Sequence, residues 1–296
     1  MCGIVGLFVK DPSLKPELGA LLSEMLHVMD DRGPDSAGFA VFGEPQSERI
    51  KITLCAPDEY DFSALAATLC AQLDSPVSIA EHATHGVLTG PASCEAELRQ
   101  ILERMAPDIA IVGVGSRMEI FKEVGVPSTV ASRLGLASMA GTHAVGHTRM
   151  ATESAVTREG AHPFSTGRDQ CLVHNGSLSN HHAVRRELER TGMSFATDND
   201  SEVAAGYLTM RIAQGDSLRG ALTHALDDLD GFYTFLVATE TGFAVLRDRI
   251  ACKPAVLAET DRYVAFGTEY RALADLPGID AARIWEPEPA TVYSWS

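Results

Sequence analysis

The chain opens with MCGIVGLFVK (residues 1–10), in which a cysteine in second position is followed at once by an apolar, β-branched run. A short apolar run of this kind is typical of a strand that is buried on both faces. Two interpretations of Cys2 are open. A cysteine is a small apolar residue and could simply begin the core strand. Alternatively, if Met1 is removed, Cys2 carries an α-amine and a thiol together, so that a nucleophile and its general base lie on one residue.

Composition limits the classes of function. The 296 residues are 45% hydrophobic and carry a net charge of −16. This acidic balance argues against a nucleic-acid partner and against an anionic membrane surface. No apolar stretch approaches the roughly 20 residues that span a membrane, and no basic segment precedes GIVGLF as it would in a secretory signal. The six cysteines form no CxxC pair. We therefore predict no metal site and no disulfide framework, and we expect a cytoplasmic location.

The first half of the chain contains a change of pattern. Leucines and methionines at helical spacing predict a helix that ends at Gly33. Residues 50–115 then show the order β-α-β-β-α-β, which is that of a ferredoxin-like unit. We expect these residues to be a subdomain inserted into a domain formed by residues 2–49 and 116–296.

The second half returns to strands. Residues 116–140 are predicted to be helical and connecting. From Gly141 onward, strand-like segments alternate with helices expected at about 181–191, 200–213 and 217–228. Many antiparallel hairpins mixed with a few helices indicate a layered α+β fold.

Several short stretches combine charged or amide residues with glycine or proline. They occur in the order CGIVG (2–6), RGPDS (32–36), GHTRMAT (146–152), HPF (162–164), HNG (174–176) and DSE (200–202). As a set they resemble the class II glutamine amidotransferases, and the resemblance covers residues 2–43 and 141–275. It implies an N-terminal-nucleophile hydrolase fold, a four-layer αββα sandwich of antiparallel sheets. It also implies that L-glutamine is the substrate.

The resemblance assigns the chemical step to Cys2, Asn175 and Gly176. An ordinary cysteine thiol has a pKa of about 8.5 and a terminal amine one of about 7.7–8.0, so the amine can accept the thiol proton near neutral pH. The Asn175 side-chain amide and the Gly176 backbone N–H would stabilise the oxyanion. Outside this context, Asn-Gly is also the strongest signal for a type I′ hairpin turn.

Glutamine is a zwitterion, and the resemblance supplies a partner for each of its charges. Arg149 suits the α-carboxylate, because its planar guanidinium binds such groups in bidentate fashion. Asp200 suits the α-ammonium. Thr152 and His162 are expected to line the same pocket, and Arg32 is expected to orient the terminal segment. The family often has an aromatic residue after this arginine, and here Met150 stands in its place.

Ammonia needs an acceptor, and the sequence ends after the amidotransferase-like region. We therefore expect a glutaminase subunit in a hetero-oligomer that delivers ammonia to a partner synthase. The resemblance is closest to the amidotransferase subunit of glutamate-synthase-like complexes, of the N-methylglutamate synthase type. It implies no cofactor in this chain, and flavin and iron–sulfur groups in the partner subunits.

Two other functions are compatible with the same residues. The chain could be an N-terminal-nucleophile amidohydrolase that acts on another amide, although Arg149 and Asp200 fit a free amino acid better. It could also be a regulatory subunit that senses glutamine. A metal site at His82 and His85 is disfavoured, since no cysteine or carboxylate accompanies them at ligand spacing.

Overall fold

The structure is a computed structural model and describes residues 2–46, 48–151 and 156–296. The strands are β1 (Gly3–Val9), β2 (Ser36–Phe42), β3 (Arg49–Cys55), β4 (Ser78–His82), β5 (His85–Pro91), β6 (Ala110–Gly115), β7 (Met118–Val124), β8 (His143–Arg149), β9 (Phe164–Gly167), β10 (Gln170–Leu178), β11 (Gly231–Thr239), β12 (Gly242–Arg247), β13 (Val256–Glu259), β14 (Tyr263–Gly267), β15 (Arg283–Trp285) and β16 (Val292–Trp295). The α-helices are α1 (Leu18–His27), α2 (Phe62–Leu73), α3 (Glu95–Met105), α4 (Pro127–Arg133), α5 (His181–Arg190), α6 (Asp200–Ala213) and α7 (Leu218–Asp228). Short 3-10 helices lie at Pro12–Glu17, Ala92–Cys94, Leu136–Ser138, Tyr270–Ala272 and Ile279–Ala281.

Two antiparallel sheets form the body of the molecule. The first sheet has the strand order β15-β13-β14-β1-β8-β2-β7, and the second has the order β16-β12-β11-β10-β9. The opening strand β1 lies in the middle of the first sheet, paired with β14 on one side and β8 on the other. Its apolar run therefore has a neighbour on both edges as well as on both faces, as the sequence predicted.

The two sheets face each other across an apolar core. Ile4 and Val145 of the first sheet pack in one cluster with Val173 and Leu236 of the second. The other face of the first sheet is covered by α1 and α4, and the other face of the second sheet by α5, α6 and α7. The order of layers is helix, sheet, sheet, helix. This confirms the predicted four-layer antiparallel α+β sandwich.

A third, smaller sheet has the strand order β4-β5-β3-β6, with every neighbouring pair antiparallel. Helices α2 and α3 cover it, through a core that includes Phe62, Leu69, Leu98 and Leu102. This is the strand order of a ferredoxin-like unit. That residues 50–115 are a separate subdomain, inserted into a domain of residues 2–49 and 116–296, remains a prediction. We call the third sheet and its two helices the small subdomain.

Two predictions of secondary structure were wrong. Residues 118–124 are strand β7 rather than helix, and β7 pairs along its whole length with β2. In the sequence of β7, two apolar residues, Ile120 and Phe121, are followed by two charged ones, so the alternation of apolar and polar residues that marks a strand is missing. The two charged residues, Lys122 and Glu123, are nevertheless buried. Helix α1 ends at His27, because residues up to Arg32 form successive turns instead. The three later helices are confirmed, with α5, α6 and α7 close to the predicted bounds.

Within residues 2–46, 48–151 and 156–296, no helix is both long and apolar enough to cross a bilayer.

Candidate active site

One cavity, of about 760 Å³, gathers most of the residues that the sequence singled out. It lies where the residue preceding β1, the end of β8, strand β10 and the start of α6 meet. Six of the predicted residues line it: Cys2, Arg149, His162, Asn175, Gly176 and Asp200. Thr152 lies outside the described residues. Arg32 does not line the cavity but contacts Cys2 from behind.

Cys2 is held through its backbone. Its carbonyl oxygen accepts hydrogen bonds from Arg32 Nε at 2.9 Å and from Asn175 Nδ2 at 3.3 Å. Arg32 is in turn paired with Glu269, which follows β14. Cys2 is half-buried, and its Sγ lies 4.0 Å from the carbonyl oxygen of Met150. These contacts fix the residue while leaving its sulfur at the wall of the cavity.

Asn175 and Gly176 lie inside a strand, so the hairpin-turn alternative is wrong. In β10 they pair with Thr234 and Tyr233 of β11. Gly176 has a φ of 149°, and a Cβ there would lie 2.0 Å from the carbonyl oxygen of Phe232. Glycine is therefore required for both conformation and space. Asn175 contacts Cys2 through its amide, and Gly176 lines the same cavity.

The two charged residues are positioned by the ends of regular elements. Arg149 is the last residue of β8 and is 7% exposed. Asp200 is the first residue of α6, whose N-terminus favours a negative charge. Its Oδ2 accepts a hydrogen bond from Leu178 N at 2.8 Å, while Asn199 caps the helix by accepting from Ser201 N at 2.9 Å. The cavity thus offers a guanidinium and a carboxylate on separate elements.

Two buried histidines, His162 and His174, line the cavity, and a third, His147, packs against them. Burial lowers the pKa of His147 to about 3, and it also lowers the pKa of His162 and His174. The rings of His147 and His162 are stacked with centroids 4.0 Å apart. His147 Nε2 lies 3.0 Å from the carbonyl oxygen of His174, and His174 Nδ1 lies 2.8 Å from Ser201 Oγ. All three rings are therefore neutral at pH 7, and they add shape and hydrogen-bonding groups rather than charge.

Sequence reasoning assigned no role to several residues that line the cavity. His174 directly precedes Asn175 in the HNG motif, which could have indicated it. Lys253 lies with its Nζ 5.1 Å from the ring centre of Phe232. It belongs to DRIACKP (248–254), a stretch that lies outside the six motifs named above. Met150 lines the cavity as well and is 47% exposed.

In the part of the chain that the structure describes, no group of three or more histidine, cysteine or acidic side chains is arranged to hold a metal ion. His82 and His85 both pack against the ring of Phe121. Burial lowers the pKa of His85 to about 4.

Comparisons with known proteins show the family of the chain. A family model described as a glutamine amidotransferase domain matches residues 147–275. The chain is 60% identical over 296 residues to the glutamine amidotransferase-like protein GlxB of Rhizobium meliloti strain 1021, with 100% of this chain and 98% of that protein covered. It is 33% identical over 303 residues to a putative glutamine amidotransferase of Methanothermobacter thermautotrophicus, with 99% and 98% covered.

A solved structure has the same fold. Glutamine phosphoribosylpyrophosphate amidotransferase from B. subtilis, complexed with ADP and GMP, matches with a TM-score of 0.63 and 19% identity. The match covers 99% of this chain and 47% of that one, so the chain spans about half the length of that enzyme. At this level of identity the likeness concerns the arrangement of sheets and helices.

The close packing at Gly176 generates a stability prediction. We expect Gly176→Ala to lower the free energy of unfolding by about 3 kcal/mol or more, because a strained backbone costs roughly 1–3 kcal/mol and overpacking adds a similar amount. Gly192→Ala is the matched control, since Gly192 also has a positive φ (93°) but a Cβ there meets no atom within 4 Å. Urea unfolding at pH 7 measures both. Equal losses in the two variants would contradict the packing described for β10.

Proposed function

Because the chain belongs to the class II glutamine amidotransferases, we propose that it hydrolyses the side-chain amide of L-glutamine through a thioester on Cys2. The observation that carries the proposal is the meeting of one thiol, an Asn-Gly pair and two opposite charges in one cavity. A thiol alone would suit many reactions. The guanidinium and the carboxylate suit the two charges of a free amino acid.

The chemical steps use groups of this chain and water. The Cys2 thiol gives its proton to the α-amine of Cys2 itself. The Cys2 sulfur then attacks the side-chain amide carbon of glutamine. The resulting oxyanion receives hydrogen bonds from the Asn175 amide and the Gly176 N–H. The carbon–nitrogen bond then breaks, and the leaving nitrogen takes the proton from the amine and departs as ammonia. Water hydrolyses the thioester and releases glutamate. The scheme requires removal of Met1, which lies outside the described residues.

The rest of the cavity would select the substrate. We assign the α-carboxylate to Arg149 and the α-ammonium to Asp200. His162 would form part of the pocket wall, as would Thr152. Arg32 would hold the nucleophile in place from outside the cavity, because its guanidinium binds the Cys2 carbonyl oxygen.

The oxyanion assignment can be tested by kinetics. Asn175→Ala should lower kcat for glutamine hydrolysis by about 10²–10³-fold, because one preorganised donor to the oxyanion is lost. Asn180→Ala is the matched control: the Asn180 amide binds the carbonyl oxygen of Asp228, outside the cavity, and kcat should stay within about twofold of wild type. Glutamate release from L-glutamine is the measurement. A kcat for Asn175→Ala within threefold of wild type would remove Asn175 from this role. If the wild-type protein cleaved another amide faster than glutamine, a different amidohydrolase activity would be favoured.

We further propose that the ammonia passes to a partner synthase of the glutamate-synthase-like or N-methylglutamate synthase type. Ammonia released into water is largely protonated and loses its nucleophilicity, which favours delivery within a complex. In this proposal the partner subunits carry flavin and iron–sulfur groups, and this chain carries none. When the tagged chain is affinity-purified from its native cells under non-denaturing conditions, a partner with a flavin absorption spectrum should co-purify with it. A stable complex without flavin would contradict this assignment while leaving the glutaminase proposal intact.

A further inference from the structure

One stretch of the cavity wall is tied to a distant part of the chain. Residues 156–163, which we call the cavity loop, connect to β9 and contribute Thr157, Gly160 and His162 to the lining. Inside the loop, Gly160 N donates to Thr157 Oγ1 and Ala161 N donates to Arg158 O, both at 3.1 Å. The loop therefore has a defined internal structure, with Arg158 at its centre.

The Arg158 side chain extends to the small subdomain. Its Nη1 donates to the carbonyl oxygen of Ala56 at 3.1 Å, and its Nη2 lies 3.4 Å from the Asp58 carboxylate. Ala56 and Asp58 directly follow β3. A single guanidinium thus joins the wall of the cavity to the end of a strand in the third sheet, 102 residues away along the chain.

A buried carboxylate anchors the same guanidinium. Arg158 Nε lies 2.5 Å from Glu123 Oε1, and the Glu123 side chain is only 4% exposed. Glu123 Oε2 also accepts a hydrogen bond at 2.9 Å from Thr84 Oγ1, which lies in the turn between β4 and β5. Because a buried charge is costly without its partner, this pair holds Arg158 firmly in one orientation. The group formed by Arg158, Glu123 and Thr84 therefore joins the body to the small subdomain.

A second contact supports the loop from the body alone. Lys122, which precedes Glu123 in β7, donates through Nζ to the carbonyl oxygens of Glu159 and Ala161, each at 3.1 Å. Burial lowers the pKa of Lys122 to about 8. Lys122 thus holds the part of the loop that directly follows Arg158, while Arg158 itself reaches the small subdomain.

We propose that Arg158 is a positioning residue through which the small subdomain holds the cavity loop in its glutamine-binding conformation. The inference rests on the proposed function, since glutamine is taken as the ligand of the cavity. Arg158 does not contact the reacting atoms. Its loss should weaken the binding of glutamine and leave the thiol chemistry largely unchanged.

Kinetics provide the first test. Arg158→Lys keeps a positive charge beside Glu123 but removes the two guanidinium nitrogens that reach Ala56 and Asp58. We expect its KM for glutamine to rise about tenfold, with kcat within threefold of wild type. Asp58→Asn, at a side chain that is 64% exposed, should fold normally and raise KM about two- to threefold. Arg168→Gln is the matched control, because Arg168 pairs with Glu95 of the small subdomain at a site away from the cavity loop. Its KM should be that of wild type.

Amide hydrogen exchange in the ligand-free protein is the second test and needs no activity. Exchange at Gly160 and Ala161 should be at least fivefold faster in Arg158→Lys than in wild type, and unchanged in Arg168→Gln. Unchanged exchange in both Arg158→Lys and Asp58→Asn would overturn the coupling, and so would an equal effect of Arg168→Gln. Faster exchange in a protein that does not hydrolyse glutamine would support the coupling and refute the proposed function instead.

Discussion

The site depends on the backbone carbonyl of Cys2. This single oxygen accepts hydrogen bonds from Arg32, which follows α1, and from Asn175, which lies in the other sheet. Cys2 precedes β1 and belongs to no strand, so these two hydrogen bonds hold it in place. Because the two donors come from different layers, the nucleophile is fixed only when both sheets are packed together. The burial of β1 in the middle of the first sheet completes the restraint.

Burial determines which side chains around the cavity carry a charge at neutral pH. The cavity wall includes His162 and His174, and the ring of His147 is stacked against His162. Desolvation lowers the pKa of all three histidines, so these rings remain neutral. Formal charge is left to Arg149, Lys253 and acidic groups such as Asp200. The proposed substrate, a zwitterionic amino acid, would suit this arrangement: each of its charges would meet the opposite charge on a regular element, and its amide end would face neutral donors.

The sequence predicted the parts of the fold that local patterns encode. The apolar run of β1, the helical spacing of α6 and the motifs that carry Cys2, Arg149 and Asn175 could all be recognised. Strand β7 could not, because its buried Lys122 and Glu123 are explained only by partners elsewhere in the fold. The link from Arg158 to Ala56 joins residues far apart in the chain, and no local pattern records it. Lys253 was missed because its place in the cavity depends on how the loops meet, whereas His174 stands in the HNG motif and could have been found there.

The central claim is that Cys2 is a terminal nucleophile for glutamine, and intact mass spectrometry tests it most directly. The protein is weighed before and after incubation with a diazo-ketone analogue of glutamine, with Cys252→Ser as the control for the exposed thiol at 252. The account predicts a chain without Met1, one adduct that maps to Cys2 in both proteins, and protection by L-glutamine. Retention of Met1, or an adduct that disappears in the control variant, would contradict it.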